Sequence, residues 1–72
     1  MDPKQALIDC DQNISDLELD SATEHLADYV NWRNRGGFEP EVYGKRGDTF
    51  AADCQRRLYD CVRAPSLKAR QS

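Results

Sequence analysis

A helix cannot run through Arg35-Gly36-Gly37-Phe38-Glu39-Pro40, and this stretch stands in the middle of a chain of 72 residues. Glycine enters positive φ without steric cost, so Gly36 suits the left-handed residue that closes a helix. Phe38 is placed to fold back near Trp32 as the apolar contact of that closure. Pro40 then keeps the helix from resuming. The chain is thereby divided into an N-terminal part of helices, a central loop and a C-terminal helix.

Each part carries its own start signal. Asp2-Pro3 opens a first helix, because aspartate caps free amides and proline suits the first turn. Leu7, Cys10, Ile14 and Leu17 recur at helical spacing, which predicts a helix over about 3–16. Ser21-Ala22-Thr23-Glu24 fits a capping box and predicts a second helix over about 21–35. Its acids, Glu24 and Asp28, come early, and Arg33 and Arg35 come late, as the helix dipole favours. Residues 37–47 form the loop, with Val42 and Tyr43 turned inward and Lys45, Arg46 and Gly47 outward. Asp48 or Thr49 caps a third helix, which ends near Arg63 because Pro65 disfavours helix before it.

These elements predict an all-α fold: one small three-helix domain over 1–64, with a structured loop between helices two and three. Residues 65–72 read as a flexible C-terminal tail. The expected core is Leu7, Cys10, Ile14, Leu26, Tyr29, Val30, Phe50, Cys54, Leu58 and Cys61. A domain this short buries little surface, so single contacts matter. The apolar share is low, at 39%, but six aromatic residues supply enough bulk for a folded core.

The N-terminus lacks a basic, apolar leader and no stretch is long enough to span a bilayer, so a cytoplasmic, non-membrane protein is expected. Asn13-Ile14-Ser15 and Arg46-Gly47-Asp48 spell a glycosylation sequon and an integrin tripeptide. Both presuppose export.

Chemistry-bearing residues are few. Cys10, Cys54 and Cys61 have no C-x-x-C spacing and read as core thiols. Cys10 is left free to pair with Cys54 or Cys61, whereas those two lie two helical turns apart, about 10 Å, too far to bridge. Zinc would need all three to converge with His25. A Cys–His nucleophile would need an orienting group that the sequence does not supply. Glu24 and Asp28 lie one turn apart on a solvated face. No catalytic residue, metal or cofactor is assigned, and the chain is read as a non-enzyme.

Two binding surfaces compete. Trp32, Arg33, Arg35, Phe38 and Tyr43 cluster at the end of helix two, and aromatic residues and arginine dominate protein-binding hot spots. This favours a small adaptor or inhibitor with a protein partner, and leaves a homodimer open. The alternative is a nucleic-acid accessory protein using Lys45, Arg46, Arg56, Arg57 and Arg63 for phosphate contacts. Residues 1–40 carry nine acids against three bases, and residues 41–72 seven bases against four acids. Against the nucleic-acid reading stand Asp53 and Asp60 within the helix and an isoelectric point near 4.9.

The segment Ser21–Pro40, with Trp32, Gly36, Gly37, Phe38 and Pro40, resembles short, uncharacterised bacterial and phage proteins that carry W-x-x-x-G-G-F-x-P after an Ala/Glu/Leu-rich helix. The resemblance implies a helical fold and a bacterial or phage source. It implies no activity and no site residues.

Overall fold

The computed structural model describes the backbone of residues 2–71 and the side chains of residues 2–62. Three helices, α1 (Pro3–Ser15), α2 (Leu19–Asn34) and α3 (Gly47–Gln71), pack around one core. Between α2 and α3 lies a short antiparallel hairpin, β1 (Glu41–Val42) and β2 (Lys45–Arg46), with Glu41 opposite Arg46 and Val42 opposite Lys45. The fold is all-α apart from that hairpin.

α1 starts as the sequence predicts, with the Asp2 carboxylate accepting from the Lys4 and Gln5 amides. It stops through a pair of backbone bonds. Leu17 N–H donates to Ile14 and Glu18 N–H to Asn13, with Leu17 at φ 60°. This is the Schellman closure, here with leucine in the place where glycine is usual.

The connection is so tight that α2 begins at Leu19, two residues before the expected capping box. Ser21 and Glu24 therefore lie inside the helix and cap nothing. Leu19 packs against the core, so the helix gains more by starting early than by using the Ser21 cap. α2 closes as α1 does. Gly36 N–H donates to Arg33 and Gly37 N–H to Trp32, with Gly36 at φ 90°.

The core holds Leu7, Cys10, Ile14, Ala22, Leu26, Tyr29, Val42, Phe50, Ala51, Cys54 and Leu58. Two expected members differ. Val30 is 45% exposed, because the α2 stripe that reaches the core is centred on Ala22, Leu26 and Tyr29, and Val30 falls beside it. Cys61 is only half-buried, at the edge of the packed region. Val42 fills the core as expected, but Tyr43 does not turn inward. It occupies the hairpin turn with Gly44, at φ 51° and 77°, and is 68% exposed. Two positive φ values in a two-residue turn match the right-handed strand twist, and alternation past Val42 sends the next side chain out.

The helical assignment of α3 runs through Pro65, beyond the stop expected near Arg63. An interior proline costs a helix about 3 kcal/mol, which disfavours continuation without forbidding it. The side chains of residues 63–72 lie outside the described residues; the backbone over 65–71, read from the sequence as a loose tail, is part of α3. No helix among the described residues is long and apolar enough to cross a membrane.

Candidate functional site

The loop is tied to both neighbouring helices by side chains from α2. Trp32 and Arg33 sit in its last turn and point to different partners. The Trp32 indole N–H donates to the Phe38 carbonyl at 3.0 Å, and the two rings meet edge to face, with centroids 5.5 Å apart at 89°. This is the favoured aromatic geometry. A Cβ on Gly37 would land on the indole ring, so glycine is what lets the chain pass there. Phe38 itself remains 63% exposed.

Arg33 turns the other way. Its Nε and one terminal nitrogen grip both carboxylate oxygens of Asp48 at 2.9 Å each, and its other terminal nitrogen donates to the Gly37 carbonyl at 2.8 Å. The Tyr29 hydroxyl donates to the same Asp48 oxygen at 2.6 Å. Asp48 is therefore not the cap of α3; its carboxylate is drawn away to α2. The cap comes from the loop. Glu39 accepts from the Asp48 amide at 2.9 Å, while Arg46 holds the other Glu39 oxygen at 2.9 Å. Thr49 is also inside the helix, which begins at Gly47.

Gly47 is buried, not turned outward, because the chain crosses closely there. Its amide donates to the Pro40 carbonyl at 2.6 Å, and a Cβ would lie 2.7 Å from that oxygen and 2.7 Å from the Tyr29 hydroxyl.

The charges respond to this wiring. The hydrogen bonds from Arg33 and Tyr29 hold the Asp48 carboxyl down to about 2. Burial, with the carboxylate of Asp48 beside it, pushes the Tyr29 hydroxyl up, out of the usual phenol range. The Asp48 amide and Arg46 hold Glu39 below the usual carboxylate range. A low-lying carboxylate and a high-lying phenol are both locked in their neutral-pH forms, which suits a strut and not proton transfer.

The structure brings the expected partner residues together only in part. Trp32 and Arg35 border one recess of about 380 Å³ with Asp28 and Asn31. Phe38 stacks on Trp32 and stands out to solvent. Arg33 is used up by Asp48 and Gly37. Tyr43 leans on Phe50, with centroids 6.0 Å apart. Sequence reasoning missed Tyr29, Glu39 and Asp48 as one network; its signal was the buried-aromatic register of Tyr29 and the acids that bracket the loop.

The basic set is mostly engaged. Lys45 lies 3.6 Å from Asp53, Arg46 2.9 Å from Glu39, and Arg57 pairs with Asp11 of α1. Arg56 is exposed, and the Arg63 side chain lies outside the described residues. The three thiols are free. His25 accepts at Nδ1 from the Asn13 amide at 2.9 Å, across the α1–α2 contact. Glu24 and Asp28 face solvent. Among the described residues no group of three or more His, Cys, Asp or Glu converges as a metal site.

Comparison with protein-family models, with curated proteins and with solved structures returns no match.

Proposed function

We propose that this chain is a small, non-enzymatic protein-interaction module of the cytoplasm, an adaptor or inhibitor that docks its partner on the end of α2 and the loop behind it. The observation that carries the reading is Phe38. A large apolar ring stands mostly in solvent, yet its backbone is pinned by Trp32 and its ring is braced edge-on. Holding an aromatic rigid before binding lowers the entropy lost on docking. Arg35 and the recess beside Trp32 give this surface a polar rim next to its aromatic centre. Tyr43 adds a second exposed ring from the same loop, at a backbone angle that costs a non-glycine residue strain.

The basic residues support the nucleic-acid alternative less well. Lys45, Arg46 and Arg57 each have a carboxylate within ion-pair distance, and phosphate would have to displace it.

Arg35→Glu tests the proposal, since the Arg35 side chain is exposed and only its backbone serves the helix closure. The variant should melt like the parent but lose capture of the protein partner in a pull-down from source-cell extract. Capture by the parent should survive high salt. Salt-sensitive nucleic acid retained without any protein would contradict the reading.

A further inference from the structure

α2 and α3 leave a groove between them. Two recesses of about 250 Å³ and about 280 Å³ meet there, and both are lined by Leu26, Val30 and Gln55. Val30 is 45% exposed on the lip, and Thr23, Ala27 and Asn34 are exposed along the same line. These four positions follow one another at spacings of 4, 3 and 4, so they form one stripe along α2. The core takes Ala22, Leu26 and Tyr29 from the neighbouring face, which leaves the stripe uncovered.

The charges beside the stripe say what fits on it. At about 100° of turn per residue, Asp20, Glu24, Asn31 and Arg35 all fall on one flank of the stripe. Among the described residues, no ion pair engages Asp20, Glu24 or Arg35. The acids stand in the first half of the helix and Arg35 just past its end. A second α2 laid antiparallel on the first, about a two-fold axis, brings like flanks together. With the axis midway between Ala27 and Val30, each Val30 stands level with Ala27 of the other copy, and each Thr23 with Asn34. Arg35 then comes level with position 22 of the other copy, midway between Asp20 and Glu24. The small Ala27 side chain at the crossing lets the two helices approach closely.

We infer that the α2–α3 groove is a self-docking surface, covered by a second copy of this chain. The two α2 helices run antiparallel, with Val30 at the centre and Arg35 of each copy between the Asp20 and Glu24 carboxylates of the other. Arg35 is shared with the partner surface at the end of α2. Val30 is not, so the two readings fail separately.

The test is sedimentation equilibrium of the full chain from about 1 μM to about 1 mM. A monomer–dimer equilibrium is expected. Val30→Glu should keep the helical circular dichroism and raise the dissociation constant about a hundredfold, because symmetry places two unpaired carboxylates at the centre. Arg35→Glu and Glu24→Arg should each weaken the dimer several-fold, as part-exposed ion pairs do. Mixed together, these two chains should pair with each other in preference to themselves, read as the mixed dimer in native mass spectrometry. A monomer at every concentration would leave the groove to the chain's own end or to another protein and would overturn the proposal. So would a dimer that keeps its affinity in Val30→Glu, or charge variants that pair with themselves as tightly as with each other.

Discussion

Gly36 and Leu17 occupy equivalent places, each the left-handed residue that closes a helix, and the difference between them is testable. A Cβ at Gly36 would meet nothing, so its cost is purely conformational. Gly36→Ala should destabilise by about 1 kcal/mol. Leu17 already bears that cost while 72% exposed, so Leu17→Gly should stabilise by up to about 1 kcal/mol. Chemical denaturation of the two variants checks both signs. Asp48 and Tyr29 make the residue scale pH-dependent at both ends. The Asp48 carboxyl is depressed, so its stabilisation is complete above about pH 4 and is lost as pH falls through about 2. The Tyr29 hydroxyl is raised, so its contribution is complete below the unfolded value near 10 and is lost as pH rises beyond it. Tyr29→Phe should remove that alkaline loss. Denaturation midpoints measured from pH 8 to 11 would show the parent falling away more steeply above pH 10 than the variant, which keeps only the loss from the buried Cys54 thiol, itself held high.

α3 takes its cap from Glu39, outside its own sequence, and this sets what can be foreseen about the elements. The helix start at Asp2-Pro3 and the helix stop at Gly36-Gly37 were legible because a local residue does the work. The start of α2 was not, because the core contact of Leu19 outweighs a local capping box. The start of α3 was misassigned because Asp48 looks like a cap until Arg33 and Tyr29 claim its carboxylate. The hairpin was hidden by Tyr43, a residue that gives no sign of accepting positive φ. Of the candidate surface, Trp32 and Phe38 were legible as a pair. Arg33 was not legible as a strut, since its partner lies 15 residues away. Glu39→Ala should lower the denaturation midpoint, since it removes the acceptor that caps the Asp48 amide. It should also slacken the first turn of α3, read as faster amide exchange at Asp48, the amide that Glu39 holds.

At the scale of the whole molecule, the acidic and basic halves meet as ion pairs. Asp11 of α1 pairs with Arg57 of α3, and Glu39 of the loop with Arg46 of β2. The charge asymmetry along the sequence thus has an internal use. Its pairs are part-exposed, so each contributes little and added salt should lower stability only slightly. Packing matters more. Leu7 is fully buried, whereas Leu26 is 9% exposed and borders a recess beside Val30. Leu7→Ala should cost toward the upper end of about 2–5 kcal/mol and Leu26→Ala toward the lower end, as denaturant titration would measure. The central claim is that residues 36–47 form a rigid platform, pinned through Trp32, Arg33 and Glu39, which holds Phe38 and Tyr43 in solvent. Backbone ¹⁵N relaxation tests it most directly. The account predicts order parameters across 36–47 close to the helical value of about 0.85. Values below about 0.6 through Phe38 and Tyr43 would contradict it.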